Sequence, residues 1–200
     1  MFWDNVAWAY DLFADGINRK ANKALCAAVE KLIFRSDEVL ECACGTGLLT
    51  AAMAPKCKNL IATDFSEKML KRAGKKLKGR RNVRFERSNI LNLPYPDERF
   101  DAVVAANVIH LLENPAAALN ELDRVCKSGG RLIIPTYMNK TDKGKRNGLS
   151  GAVKKVGTDF KNEFTFKTYR QFFADAGYEN TRFILCDGRI PCAVAVIEKT

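Results

Sequence analysis

The sequence predicts an α/β fold: a doubly wound, mostly parallel seven-stranded sheet that ends in an antiparallel hairpin. Three observations predict it. Strand-like and helix-like patterns alternate five times between residues 38 and 135, which implies parallel strands with helices on both faces. A glycine-rich turn, Ala43-Cys44-Gly45-Thr46-Gly47, directly follows the first strand pattern. Two last apolar runs, 181–186 and 192–198, flank Asp187-Gly188 and read as a hairpin.

Residues 3–33 read as helix, with Trp3, Val6, Tyr10 and Phe13, then Ala24, Leu25, Ala28, Val29 and Leu32, at helical spacing. Gly16 is placed to separate two helices, so 1–34 is expected to form an N-terminal helical cap. Residues 38–42 read as a short buried strand, and Leu48 to Met53 open a helix after the glycine turn. The second strand, 59–63, ends at Asp64. Ser66 is an N-cap for a helix over 67–78, with Glu67 in its first turn. A third strand spans 83–87. A fourth, 101–105, has the unbroken apolar character of a central parallel strand. Asn114 and Pro115 cap and open a helix over 115–127, which Ser128-Gly129-Gly130 is expected to end. A fifth strand covers 131–135. Residues 137–165 turn polar and Lys-rich and read as an insertion, or lid, after that strand; a helix follows at 167–176. The whole of 1–200 reads as a single domain.

Composition narrows the classes. Apolar residues make up 47% of the 200-residue chain and charged residues 28%, the balance of a soluble globular protein. No apolar run approaches the roughly 20 residues of a membrane span, and the first residues lack a signal-peptide pattern. Seven cysteines, an odd number without a Cys-x-x-Cys pair, read as reduced thiols in a cytoplasmic protein, with no metal site expected. The net charge of +10 leaves open an acidic substrate, a nucleic acid, peripheral contact with an anionic membrane, or solubility alone. Oligomeric state is not readable.

In a sheet of this Rossmann-like kind, ligands bind beyond the carboxyl ends of the strands at the switch point, where the glycine turn falls. A dinucleotide site wants Gly-x-Gly-x-x-Gly. Here Gly45 and Gly47 are present, but Thr50 holds the third position. Glu41 precedes the turn. A carboxylate there repels a pyrophosphate and suits a ligand carrying an ammonium group. S-adenosylmethionine (SAM) has an ammonium, a sulfonium and no phosphate. Asp64, 17 residues beyond Gly47, can accept hydrogen bonds from ribose hydroxyls. That supports a nucleoside without choosing between SAM and a nicotinamide dinucleotide.

The run Val39-Leu40-Glu41-Cys42-Ala43-Cys44-Gly45-Thr46-Gly47 resembles motif I of the class I SAM-dependent methyltransferases. Residues 61–70, 89–95, 100–103, 109–112 and 128–132 resemble the motifs that follow, so the likeness covers roughly 38–136. The nearest pattern is the methyltransferase type 11 group that contains the ubiquinone/menaquinone-biosynthesis enzymes. The resemblance implies SAM as cofactor, S-adenosylhomocysteine as product, and a role for each position. Glu41 binds the methionine end. Ala43, Cys44, Gly45 and Gly47 form the turn along the cofactor. Asp64 holds the ribose and Phe65 packs by the adenine, which Asn89 and Ile90 contact. Asn107 lies near the methionine and the transferred methyl, and Tyr10 covers the cofactor from the N-terminal helix. Two positions depart from the family: Ala43 replaces a usual glycine and Asn89 a usual aspartate.

Methyl transfer from a sulfonium is an in-line displacement, so positioning and desolvation supply much of the effect. His110, the only histidine, follows the fourth strand; it is the one candidate catalytic base, though a structural or substrate-orienting role is the favoured reading. Tyr137 could line the pocket or pack. The Asn/Asp-Pro-Pro-Tyr/Phe motif of amino- and amide-methylating enzymes is absent; Ala105-Ala106-Asn107-Val108 stands there. One basic cluster, Lys68 to Arg81, reads as a solvated helix face, and another lies in the insertion. The expected activity is methyl transfer to a small molecule, including a lipid or quinone-like one. The rivals are an RNA or nucleotide methyltransferase, a nicotinamide oxidoreductase and a catalytically silent SAM-binding scaffold.

Overall fold

The structure, a computed structural model, describes residues 18–138 and 161–200. The expected cap over 1–34 is therefore described only from Asn18 onward, and the insertion over 137–165 only at its two ends.

The described chain runs α1 (Arg19–Glu30), β1 (Glu38–Cys42), α2 (Leu48–Met53), β2 (Asn59–Asp64), α3 (Glu67–Lys76), β3 (Val83–Arg87), β4 (Phe100–Ala105), a 3-10 turn (Ile109–Leu111), α4 (Pro115–Val125), β5 (Cys126–Tyr137), α5 (Phe166–Asp175), β6 (Arg182–Cys186) and β7 (Cys192–Glu198). Every one of these strands belongs to one sheet, in the order β3-β2-β1-β4-β5-β7-β6. The pairs from β3 to β5 are parallel, whereas β7 runs antiparallel to both β5 and β6. The α/β class, the parallel sheet and the closing hairpin are as the sequence predicts. The order reverses between β1 and β4, and the crevice at that switch point is where a ligand belongs.

Two apolar layers cover the two faces, and strand alternation assigns side chains to each. Leu132 and Ile134 of β5 join Ala193, Ala195 and Ile197 of β7 against α4 and α5. Ile133 and Tyr137 join Cys192, Val194 and Val196 against α1 and α2. Both faces are buried, which is why these strands read as unbroken apolar runs. Tyr169 and Phe173 of α5 are fully buried, with ring centroids 5.1 Å apart, and each large ring contributes roughly 1.5–3 kcal/mol by burial. The Tyr169 hydroxyl donates to the Ile134 carbonyl.

The local signals act as read. The Ser66 hydroxyl accepts from Met69 N–H at 3.2 Å, and the Asn114 side chain accepts from Ala117 N–H at 3.0 Å with Pro115 in the first turn. One element differs. The helix ends at Val125, and Ser128-Gly129-Gly130 lies inside β5 instead of stopping the helix. The cause is non-local: Gly129 N–H donates to the Lys199 carbonyl and Lys199 N–H to the Gly130 carbonyl, at 2.7 and 2.9 Å. Gly130 is required by close approach, because a Cβ would come within 2.7 Å of the Lys127 carbonyl.

Candidate cofactor and active site

The turn after β1 alternates left-handed residues: Ala43 and Gly45 at φ 55° and Gly47 at φ 84°. Gly47 has no substitute without movement, since a Cβ would meet Leu77 at 3.0 Å and Ala73 at 3.1 Å. The turn is tied to β2 and its end. Cys44 N–H donates to the Thr63 carbonyl at 2.9 Å, and Gly45 N–H to Asp64 Oδ2 at 2.8 Å. Asp64 Oδ1 accepts from Ser66 N–H, also at 2.8 Å. Both carboxylate oxygens of Asp64 are thus held by backbone N–H groups, which fixes the orientation of the carboxylate at the end of β2.

Beneath the turn, Glu41 is only 2% exposed, and its Oε2 accepts from the Thr50 hydroxyl at 2.6 Å. Burial pushes its carboxyl up to about 8, against the pull of the Thr50 hydrogen bond and helped by the nearby Asp64 charge. A buried acid of this kind becomes an anion when a cation is set against it.

The carboxyl ends of β1 to β4 enclose a cavity of about 290 Å³. Ala43, Gly45, Thr63, Asp64, Phe65, Met69, Ser88, Asn89 and Ile90 line its β2–β3 end, and Ala106, Asn107, Val108, Leu111 and Leu112 its β4 end. No Lys or Arg is among these lining residues. The Phe65 ring is half exposed, with the Arg87 guanidinium 5.3 Å from its centroid. Asn89 Oδ1 accepts from Leu91 N–H at 3.1 Å, closing a small turn below the wall. Asn107 holds a left-handed backbone at φ 52°. Its N–H donates to the Pro135 carbonyl at 2.8 Å, and its Oδ1 accepts from Tyr137 N–H at 3.0 Å. The side-chain group it retains for the cavity is therefore its amide N–H₂, a donor.

Of the residues expected from the sequence, Ala43, Gly45, Asp64, Phe65, Asn89, Ile90 and Asn107 line this cavity. Glu41, Cys44 and Gly47 stand behind or within the turn rather than on the wall. Tyr10 lies outside the described residues. The structure does not bring His110 to the cavity: it is 2% exposed, and Leu111 and Leu112 of the same turn line the wall instead. Burial lowers its imidazolium to about 3, so the ring is neutral at physiological pH and a weak base. Tyr137 packs under α1, its hydroxyl donating to Asn22 Oδ1 at 2.7 Å. Sequence reasoning missed Thr63, Met69, Ser88, Ala106, Val108, Leu111 and Leu112. Their signal was position: most sit at, or just past, the carboxyl end of a strand. Among the described residues no group of three or more His, Cys, Asp or Glu is arranged to hold a metal ion.

A sheet in this order with a reversed seventh strand, a left-handed turn after β1 and a carboxylate ending β2 define the fold and cofactor crevice of the class I methyltransferases. Solved structures agree on the fold. A SAM-dependent methyltransferase from Thermotoga maritima superposes with a TM-score of 0.75 at 21% identity, over 98% of this chain and 99% of that one. One from Aquifex aeolicus does so at 0.69 and 21%, over 97% and 98%. Residues 40–134 match the family described as Methyltransferase domain, a match that supports a class I SAM-dependent methyltransferase of this group. Among curated relatives, the demethylmenaquinone methyltransferase of Clavibacter sepedonicus is 35% identical over 136 residues, 66% of this chain and 55% of the relative. That of Deinococcus radiodurans is 33% identical over 157 residues, 74% of this chain and 62% of the relative. The chain thus spans little more than half the length of the first of these.

Proposed function

We propose that this chain moves a methyl group from SAM to a small, largely apolar acceptor of the quinone or lipid type. The observation that carries the cofactor half is electrostatic. The cavity wall bears the Asp64 carboxylate and no described cation, and a second carboxyl, Glu41, is buried beneath the turn. A pyrophosphate would be repelled there, whereas a nucleoside bearing an ammonium and a sulfonium is matched. Asp64 would hold the ribose hydroxyls, Phe65 and Ile90 the adenine faces, and Glu41 the charge at the methionine end. When bound, SAM supplies an activated methyl on a positively charged sulfur.

The acceptor half rests on the β4 end. Ala106, Val108, Leu111 and Leu112 make that wall apolar, with the Asn107 amide as the polar group among them. Such a wall excludes water from the nucleophile and leaves one donor to orient an acceptor oxygen. The names of the relatives, demethylmenaquinone methyltransferases, fit an acceptor of that chemistry. All seven cysteines are free and six of them buried, which supports a reducing, cytoplasmic setting.

Calorimetric titration of SAM and S-adenosylhomocysteine into wild type and Asp64→Ala tests the cofactor. Binding that collapses in the variant is expected, and failure of folded wild type to bind either ligand would refute it. Transfer of radiolabelled methyl to demethylated naphthoquinols then tests the acceptor. A protein that binds SAM yet methylates no quinol would retain the cofactor and lose the quinone assignment.

A further inference from the structure

The net charge of this chain is concentrated in one segment of the sequence. Residues 65–87 hold ten Lys or Arg and two Glu, so 23 residues carry +8 of the chain's net +10. All ten cations are exposed. Lys68, Lys71, Arg72, Lys75 and Lys76 fall at the i, i+3, i+4, i+7, i+8 spacing of one helical stripe on α3. The opposite stripe, Met69 and Ala73, is buried where α3 packs on β2 and β3. Lys78, Arg80 and Arg81 continue the basic face through the following turn, and Arg87, beside Phe65 and Glu67, carries it onto β3, the edge of the sheet. Of the two acids, Glu67 pairs with Arg87 at 3.5 Å, and Glu86 pairs with Arg84 at 3.3 Å on the other face of β3. The lysines along α3 face solvent.

We propose that this face docks the protein peripherally on an anionic phospholipid surface. The shape favours a bilayer over a nucleic acid. The cations lie on the outer, convex side of a helix about 15 Å long, not in a groove that would track a strand. No aromatic ring interrupts the stripe to stack bases. Phe65, 50% exposed, lies at the border between this face and the cavity. Phe65 contacts Arg87 on one side and lines the cavity on the other. An exposed aromatic side chain beside a basic field suits shallow burial among headgroups. Docking in this pose sets the cavity mouth near the bilayer, where an apolar acceptor is dissolved. The choice of a bilayer rests in part on the acceptor proposed above, but vesicle binding is read without acceptor or cofactor, so the two readings fail separately.

The test is cosedimentation of the full chain with vesicles of phosphatidylcholine, with and without phosphatidylglycerol. Wild type is expected to bind only the anionic vesicles, and to be released as salt rises from about 0.1 M to about 1 M and the screening length falls from about 10 to about 3 Å. The triple variant Lys71→Gln, Lys75→Gln, Lys78→Gln should bind roughly a hundredfold more weakly, each lost cation being worth about a factor of five. A matched variant on α1 and its C-cap, Lys20→Gln, Lys23→Gln, Lys31→Gln, removes the same charge elsewhere and should lose far less. Circular dichroism establishes that both variants are folded. Equal losses in the two variants, or folded wild type that ignores anionic vesicles, would overturn the proposal. So would single-stranded RNA that strips the protein from vesicles at equal phosphate concentration, a result that points to nucleic acid.

Discussion

Replacing Glu41 by Gln removes a charge and leaves the shape, and its consequences can be worked from the burial of this carboxyl. In the folded chain the group titrates near 8, against an ordinary value of 4.5, because burial disfavours the anion. The folded state therefore binds this proton more tightly than the unfolded state. Its contribution to stability is complete below about pH 4.5, falls as pH rises from there to about 8, and is gone above. The difference of about 3.5 pKa units corresponds to about 5 kcal/mol across that window. Glu41→Gln has no such slope, so its stability relative to wild type should rise from pH 5 to about pH 8 and level off above it in urea denaturation. Cofactor binding carries the same linkage in reverse. At pH 7 a group titrating near 8 is about 90% protonated. A cation set against it expels the proton, so SAM binding should release close to one proton. Calorimetry in buffers of different ionisation enthalpy reads that release directly, and Glu41→Gln should abolish it. A stability difference that does not change with pH, or proton release that persists in Glu41→Gln, would refute the assignment of this carboxyl.

Asn107 separates a structural role from a functional one. Asn107→Asp keeps an acceptor for Tyr137 N–H and tolerates the left-handed backbone, so its melting temperature should stay near wild type. Asn107→Leu orphans that N–H and should cost about 1–3 kcal/mol. If the amide orients an acceptor oxygen, Asn107→Asp loses kcat while SAM affinity holds within a few-fold; full turnover in that variant would show that the amide is only a strut. Ala43→Gly relieves a non-glycine residue at φ 55°, a strain of about 1 kcal/mol, and removes a Cβ from the cavity wall. Thermal denaturation should show no loss of stability, and calorimetry tighter SAM binding. Weaker binding would mean that the methyl is a contact and not an obstruction.

Much of the fold was legible because its signals are local. Ser66 and Asn114-Pro115 announce helix starts through their own side chains, and both act as caps. The apolar runs of β4, β5 and β7 announce burial on two faces. The stretch Ser128-Gly129-Gly130 misled because its backbone partner is Lys199, some 70 residues away, and no local pattern encodes that pairing. The site divides the same way. Glycines, an acid before the turn and an acid ending β2 are spaced by the strand–turn–helix unit itself, and the structure places them together. His110 is different. Its distance from β4 brings it near the cavity, but the 3-10 turn rotates about 120° per residue. That rotation sends His110 inward and Leu111 to the wall, and a single sequence does not disclose the phase of a three-residue turn.

The two ends of the cavity are held by one physical device. At the β2 end, a side chain finishing one strand accepts a backbone N–H from the turn after its neighbour, Asp64 from Gly45. At the β4 end, Asn107 accepts from Tyr137 at the end of β5. Each bond ties a wall-forming loop to the rigid sheet, and each holds a left-handed residue in place, Gly45 in one case and Asn107 itself in the other. Strained backbone persists only where surrounding bonds over-determine it. The Asn107 side chain uses its oxygen internally, which leaves an amide donor for the cavity. Walls drawn from separate loops therefore share the stiffness of the sheet, and the groups that would meet a cofactor and an acceptor are oriented before either arrives. For the methyl transfer proposed above, whose barrier is lowered chiefly by alignment of nucleophile, methyl and sulfur, that stiffness is the contribution the described walls would make without a dedicated base.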